Sequence, residues 1–172
     1  MHVMSRQRGF SLIEVLVAVL IFSIGLLGLA SLMIMSTRSD QAAYMRTQVA
    51  FLAQSMADRM SANPVGVWNG SYNTTYPNTT TQTCNATTGC SPANLANYDQ
   101  QMWSAQLNTF LSNPNAKITC TNPTAYTPTS AQLNLRPPYG GNCHMEISWQ
   151  ERGVGPNKQG SLPQKFAWNF QP

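Results

Sequence analysis

The chain has 172 residues, which leaves room for one membrane helix and one small soluble domain. Only 9% of the residues are charged, and the formal net charge of +4 includes Arg6 and Arg8 near the amino terminus. So small and scattered an excess of positive charge excludes the dense basic surface of a typical nucleic-acid-binding protein. Asparagine, threonine, glutamine and serine supply the polarity, a mix more usual in exported than in cytosolic proteins.

The first element in the chain is an apolar stretch long enough to cross a membrane. An uncharged run of 21 residues, Val15 to Met35, follows the segment Arg8-Gly9-Phe10-Ser11-Leu12-Ile13-Glu14. As a helix rising ~1.5 Å per residue, this run spans ~32 Å and matches a hydrocarbon core of ~30 Å. Burial of a charge at the centre of such a helix costs ~2.5–3.5 kcal/mol, so Glu14 indicates a functional acid with a partner.

These residues resemble the prepilin signal of type IV pilins and pseudopilins: a short basic leader ending in Gly9, then Phe10, then Glu14 and an apolar helix. The continuation Phe22-Ser23-Ile24-Gly25-Leu26-Leu27-Gly28-Leu29-Ala30 is most similar to minor pilins of the PilV type. The resemblance covers about the first third of the chain. It implies that a membrane-embedded prepilin peptidase and methyltransferase removes residues 1–9 between Gly9 and Phe10 and N-methylates Phe10. It also implies that residues 10–37 remain as a transmembrane and filament-core helix.

Two other interpretations of the amino terminus compete with this one. A secretory signal could be cut after the small-residue triplet Gly28-Leu29-Ala30, but Leu32 to Met35 continue the apolar run and Glu14 would interrupt the hydrophobic region. A plain signal anchor explains the run but not why Gly9 and Glu14 bracket Phe10. In each case Arg6 and Arg8 place the leader in the cytoplasm and the rest of the chain outside.

Residues 38–62 continue the same helix in amphipathic form. Apolar residues recur at steps of three and four, and Asn63-Pro64 is expected to end the helix; the apolar positions are Ala42, Met45, Val49, Leu52, Met56 and Met60. Such a stripe predicts that this half packs against a domain of its own. Major pilins commonly have proline where this chain has Ser31, a departure that argues against the bulk filament subunit.

The remaining residues, 63–172, predict a globular periplasmic head. Residues 65–90 lack any period and are expected to form a surface loop, and their four Asn-x-Ser/Thr triplets reflect abundant asparagine and threonine. Ser91-Pro92 begins a predicted helix over 92–111, with an apolar stripe at Leu95, Tyr98, Met102, Leu107 and Phe110 or Leu111. Alternating residues over 116–170 then predict three antiparallel strands. The expected fold class is α+β, with a long helical spine packed on a small sheet and a second helix.

Four cysteines in an exported domain predict two disulfides. Cys84 and Cys90 are close enough in sequence to join, which leaves Cys120 and Cys143 to link neighbouring strands, and this pairing is favoured over the other two. Zinc binding through Cys143-His144 is disfavoured because no pair of thiols has a two-residue gap. No metal and no cofactor are expected.

No set of side chains in the sequence has the pattern of a catalytic centre. His144 is the one histidine after the leader, and Glu146 is expected beside it on one strand face as a surface pair. The sequence therefore predicts a protein that is not an enzyme.

Three functions remain open at this point. The favoured one is a minor pilin, a structural and assembly subunit at the initiation or tip complex of a type IV pilus, supporting twitching motility, adhesion or DNA uptake. Its expected partners are other pilins and minor pilins, the peptidase and an inner-membrane assembly platform, with no direct contact to nucleic acid. It would be a single-pass inner-membrane protein before entering the pilus. The alternatives are a type II secretion pseudopilin and an adhesive tip module whose polar loop binds a ligand.

Overall fold

The computed structural model describes residues 9–85, 87, 89–151 and 160–172, and the backbone of Arg152. The expected leader, apart from Gly9, therefore lies outside the described residues. The chain divides into two compact units, one ending at Asp40 and the other covering Gln41–Pro172.

The first helix, α1, covers Leu12–Ala62. Its first turn begins at Ser11, whose carbonyl accepts hydrogen bonds from the backbone N–H groups of Glu14 (3.0 Å) and Val15 (3.3 Å). The expected helix from residue 10 to residue 62 is thus present, but its regular part starts two residues later. Asn63-Pro64 ends it as expected, because the residue before a proline is disfavoured in helical conformation.

Within the second unit, one face of α1 is buried and the opposite face is exposed. The apolar stripe expected from the sequence is confirmed at four of its six positions, and two alanines complete the buried face: Val49, Leu52, Ala53, Met56, Ala57 and Met60. These side chains join one hydrophobic cluster with residues of the sheet and of the third helix. The spine therefore packs against the head through its expected face.

Among its described residues, the rest of the second unit contains three further helices and four strands. In chain order they are α2 (Pro64–Trp68), β1 (Thr75–Tyr76), α3 (Pro92–Phe110), β2 (Asn115–Thr121), α4 (Ser130–Leu133), β3 (Asn142–Arg152) and β4 (Ser161–Phe170). The strands form one sheet in the order β1-β2-β3-β4, and all neighbours are antiparallel. The α+β architecture expected from the sequence is confirmed.

Two short stretches of the segment expected to be a loop have regular secondary structure in the part of the chain that the structure describes, namely α2 and β1. Asn63 caps α2, because its side-chain oxygen accepts a hydrogen bond from the Gly66 N–H at 3.2 Å. Further along, Thr75 and Tyr76 pair with Lys117 and Ala116 as the short strand β1. The expectation of a loop was wrong at these two stretches, whereas the other described residues of the segment form neither helix nor strand. Tyr72, Asn73 and Asn78 of this segment have hydrogen-bond partners elsewhere in the head.

The buried face of α3 also differs from the expected stripe. Met102 and Phe110 are exposed, whereas the buried residues are Ala96, Asp99, Gln100, Trp103, Ser104 and Leu107. Trp103 has the largest side chain of this face, and its Nε1–H donates to the Leu52 carbonyl of α1 at 2.8 Å. The helix is rotated relative to the expectation because its polar residues have partners inside the head.

Those partners form a buried polar network between α1 and α3. The Asp99 carboxylate lies 3.1 Å from Arg59 Nη1 and accepts a hydrogen bond from the Tyr72 hydroxyl at 2.7 Å. Asn63 Nδ2 donates to that hydroxyl (3.1 Å) and to the Pro92 carbonyl (2.8 Å). The network joins the end of the spine helix to the start of α3, and a buried carboxylate with these partners is fully hydrogen-bonded.

The buried tyrosines near Asp99 are expected to make the stability of the head depend on pH in the alkaline range. Burial, followed by the hydrogen bond to Asp99, raises the pKa of Tyr72, and burial, followed by the Asp99 charge, raises the pKa of Tyr76. Because the pKa is raised in the folded state, the contribution of each tyrosine to stability is fully present below the unfolded pKa of ~10. This contribution declines as the pH rises above that value. We expect the free energy of unfolding, measured with urea, to be constant up to about pH 9 and to fall above about pH 10. In Tyr76→Phe, the free energy of unfolding should fall less steeply with pH. An equally steep fall in the variant would show that Tyr76 does not contribute to this pH dependence.

Two disulfides lie in the second unit, and they are the pairs favoured by the sequence. Cys84 and Cys90 are joined with their Cα atoms 5.7 Å apart. Cys120 and Cys143 face each other in the β2–β3 register, with Cα atoms 4.0 Å apart. The first bond closes the segment before α3, and the second ties two strands of the sheet.

Gly141, just before β3, has no space for a side chain. A Cβ at this position would collide with the carbonyl oxygen of Thr121, which is held in the β2–β3 ladder, and would lie 2.7 Å from the Tyr139 hydroxyl. We expect Gly141→Ala to lower the free energy of unfolding of the head by about 1–3 kcal/mol. The measurement is urea unfolding followed by near-ultraviolet circular dichroism in detergent.

Gly160→Ala is the matched control, because a Cβ there would meet nothing within 4 Å. It should change stability by less than about 0.5 kcal/mol. Equal effects of the two substitutions would show that the contact at Gly141 is not what requires glycine.

Candidate functional site

The candidate site lies at the amino terminus, where Gly9, Phe10 and Glu14 lie within six residues of the sequence. Gly9 and Phe10 precede the helix without regular secondary structure and are exposed, and 85% of the Phe10 residue is accessible. A Cβ on Gly9 would meet nothing within 4 Å, so the fold itself does not require glycine at this position. A requirement for glycine at position 9 would therefore come from a protein that binds this segment.

Glu14 occupies the first turn of α1, where a carboxylate is favoured by the partial positive charge of the helix amino terminus. It is exposed and has no ion-pair partner among the described residues. Glu14 lies four residues after Phe10 in the sequence. Cleavage before Phe10 would create a positively charged amine there, and this amine is the cation that the chain itself can place nearest to Glu14.

The apolar half of α1 is exposed on every side in the first unit. From residue 12 to residue 35 each side chain is accessible, and the large ones include Leu20 and Phe22. A core helix of a soluble protein would be mostly buried, so this helix has the length, composition and exposure of a membrane span. Such a surface is stable only in lipid or against neighbouring apolar helices.

Three hydroxyl groups within and just after this apolar segment form hydrogen bonds inside the helix. Ser23 donates to the Val19 carbonyl (2.7 Å), Ser31 to that of Gly28 (2.8 Å) and Thr37 to that of Ile34 (3.0 Å). Because hydrocarbon offers no acceptors, these bonds remove the cost of placing a hydroxyl there. Glu14 is the one charged side chain in the sequence between Gly9 and Met35.

The polar groups of the head that the sequence singled out form a surface cluster. Glu146 lies 2.7 Å from Lys165 and 4.0 Å from His144 Nε2, while His144 Nδ1 is 2.7 Å from the Asn169 side chain. His144, Lys165 and Asn169 are exposed and Glu146 is partly exposed, which agrees with the surface pair expected from the sequence. Among the described residues, no group of three histidine, cysteine, aspartate or glutamate side chains could hold a metal ion.

The polar network around Asp99 was not foreseen from the sequence. The available signal was a carboxylate within a helix whose other polar residues are uncharged, at a position one turn before Trp103. Its partners Tyr72 and Arg59 are distant in the chain, so no local pattern connects them.

Comparison with known protein families gives one match, which covers the candidate site. Residues 4–30 match the family model described as the prokaryotic N-terminal methylation motif. No curated protein matches the chain. No solved structure matches it either. The motif match and the exposed, membrane-length helix behind Glu14 support a type IV pilin-like or pseudopilin-type protein anchored in a membrane.

Proposed function

We propose that the chain is a minor pilin of the PilV type, a structural subunit that supports initiation or tip assembly of a type IV pilus. The observation that carries the proposal is the arrangement at the amino terminus: Gly9 and Phe10 are accessible, and Glu14 is the sole charge on the apolar segment behind them. The proposed role is structural and uses no catalysis or cofactor of the chain's own.

Assembly in this proposal begins with processing. A prepilin peptidase and methyltransferase in the inner membrane cuts between Gly9 and Phe10 and methylates the new amine. The apolar half of α1 then holds the subunit in the membrane with its head in the periplasm. An assembly platform moves the subunit into the filament, where other pilins replace lipid around the helix. The exposed apolar surface of residues 12–35 is suited to both environments.

In this proposal, Glu14 guides an incoming subunit into position by pairing with an amine. A carboxylate and an amine each cost free energy in hydrocarbon, and both costs fall when the two groups pair. Before assembly, Glu14 pairs with the Phe10 amine of its own chain. In the filament it pairs with the Phe10 amine of an adjacent subunit, which sets the position of the incoming helix.

The test distinguishes a role in pilus formation from a role in type II secretion. In a strain that lacks this protein, we expect fewer surface pili and reduced twitching, with normal export of type II secretion substrates. Sheared filaments of the parent strain should contain the mature protein. Normal piliation with failed secretion would contradict the proposal and would instead support the pseudopilin alternative.

An adhesive tip module is the other alternative, in which the polar loop of residues 65–90 would bind a surface ligand. Replacement of its exposed residues Thr79, Thr81 and Thr83 by alanine should leave piliation and surface attachment per pilus unchanged under our proposal. Loss of attachment at normal pilus number would support the adhesive role.

A further inference from the structure

Strand β4 forms an open edge of the sheet. It is the last strand in the order β1-β2-β3-β4, and no described residue pairs with its outer side. Exposed edges with free N–H and C=O groups are templates for pairing with another extended chain. At ten residues, β4 is long for an unprotected edge.

The ladder shows which backbone groups of β4 face outward. Gln150 is opposite Pro163 in the register, and the Gln150 N–H points away from β4, since it donates to the Ser112 carbonyl at 2.9 Å. Because backbone groups alternate along a strand, the outward-facing ones on β4 belong to Ser161, Pro163, Lys165, Ala167 and Asn169. Pro163 lacks an N–H and interrupts the row of outward donors, so the uninterrupted part of that row consists of Lys165, Ala167 and Asn169.

A cavity of about 360 Å³ lies beside this part of the edge, lined by Arg46, Trp149, Gln164, Lys165 and Phe166. Trp149 is only 3% exposed, and its buried Nε1–H has no hydrogen-bond partner among the described residues. Arg46, on α1, has no ion-pair partner among the described residues. An indole N–H and a guanidinium are both donors without acceptor capacity, so the cavity lacks a negatively charged acceptor.

Two acids of β3 bear on this charge balance. Glu146 binds the Lys165 ammonium at 2.7 Å, so Lys165 is already paired. Glu151 follows Trp149 on the same face of β3, and its Oε1 is buried without a hydrogen-bond partner among the described residues, but Glu151 does not line the cavity. The Trp149 Nε1 is inaccessible, so Arg46 is the unpaired cation that a bound anion would meet, and Glu151 would oppose its binding.

We propose that the β4 edge and this cavity together bind an extended, acidic segment of a partner protein. The segment adds a strand to β4 through the outward groups of Lys165, Ala167 and Asn169. One of its carboxylates enters the cavity and accepts hydrogen bonds from the Arg46 guanidinium. If the chain assembles as proposed above, the partner is another subunit, but the binding is measured on the isolated protein and fails or succeeds separately from filament assembly.

The experiment uses the full chain in detergent micelles and three fluorescein-labelled peptides, with binding followed by anisotropy. The first peptide has seven residues, alternating threonine and valine with one central glutamate. The second has glutamine in place of the glutamate, and the third keeps the glutamate but is N-methylated at alternate backbone positions. We expect saturable binding of the first, binding weaker by roughly tenfold or more for the second, and loss of binding for the third.

Variants of the protein locate the binding. Arg46→Gln should weaken binding of the glutamate peptide to the level of the glutamine peptide and leave the glutamine peptide unchanged. Ala167→Pro removes an outward N–H without taking a β3–β4 hydrogen bond and should weaken both peptides. Glu151→Gln should tighten binding of the glutamate peptide. Lys117→Gln is the control, since Lys117 is an exposed cation of β2 that does not line the cavity, and it should change nothing.

Thermal unfolding of each variant shows whether the head remains folded, and an Arg46 substitution is suited to this comparison because Arg46 is exposed. Equal affinity for the glutamate and glutamine peptides would overturn the proposal. So would wild-type binding by folded Arg46→Gln, or the absence of binding by the wild type at millimolar peptide.

Discussion

Replacement of Glu14 by glutamine should reduce incorporation into filaments by about tenfold or more, while cleavage and membrane insertion stay largely intact. Glutamine keeps the shape and the hydrogen-bonding groups of glutamate but removes the charge. Loss of one charge pair in an apolar environment needs to cost only ~1.4 kcal/mol to produce a tenfold change, and breaking a buried pair costs ~3–5 kcal/mol. The measurement is the amount of protein in sheared filaments relative to the amount in membranes.

Asp40→Asn is the matched control for this experiment. Asp40 lies on the same helix beyond the apolar segment and is exposed. Its charge is therefore expected outside the hydrocarbon and needs no partner there. Its substitution should leave the ratio of filament to membrane protein unchanged. An unchanged ratio for Glu14→Gln as well would show that the charge does not recruit this subunit.

The largest effect on folding is expected at Asp99, which should lose about 2–4 kcal/mol of head stability when replaced by alanine. This change leaves the Tyr72 hydroxyl without its acceptor and the Arg59 guanidinium without its counter-charge. The value lies below the ~3–5 kcal/mol of a fully buried pair because the Arg59 side chain is 27% exposed and is partly hydrated. Urea unfolding followed by tryptophan circular dichroism measures it.

Two further variants separate the network from a general loss of charge. Glu146→Ala removes an exposed partner of Lys165 and should cost no more than about 1 kcal/mol. A triple variant, Arg59→Met with Tyr72→Phe and Asp99→Leu, removes all three polar groups together and should be more stable than Asp99→Ala alone. If Asp99→Ala costs no more than Glu146→Ala, the network does not stabilise the head.

Elements governed by local patterns could be predicted from the sequence. The stripe from Val49 to Met60 repeats at helical spacing, and Ser91-Pro92 has the chemistry of a helix start, which the Ser91 cap on the Asn94 N–H confirms. The three longer strands show alternation of apolar and polar residues. In each case the signal lies within a few residues of the element it specifies.

Elements governed by distant partners could not be predicted in the same way. The buried face of α3 includes Gln100, whose amide donates to the Ser71 carbonyl at 2.7 Å, and no periodicity of apolar residues reveals such a bond. Strand β1 has two residues and exists because Tyr76 is buried against Trp103, with ring centroids 4.9 Å apart. Its pairing with β2 depends on residues about 40 positions away in the chain.

The candidate site was predictable because it is a local motif. Gly9, Phe10 and Glu14 lie within six residues, and the helix behind them is continuous in sequence. The open edge of β4 and the cavity beside Arg46 were not predictable, because they depend on which strand ends the sheet and on a helix more than 100 residues earlier in the chain.

Cleavage after Gly9 is part of the proposed function, and under that proposal a bulky residue at position 9 should block it. In Gly9→Val, the added side chain would meet a peptidase that accepts only the smallest residue at the cut position. The variant should accumulate in membranes with its leader attached and should be absent from filaments. Gly160→Val, far from the amino terminus in the sequence, should be processed normally.

The most direct measurement is the mass of the amino-terminal peptide of the protein purified from its membranes. The account predicts a chain that begins at Phe10 and carries one N-methyl group on its amine. A chain that begins at Met1 would contradict prepilin processing and indicate a plain signal anchor. A chain that begins at Ser31 would contradict it as well and indicate an ordinary secretory signal.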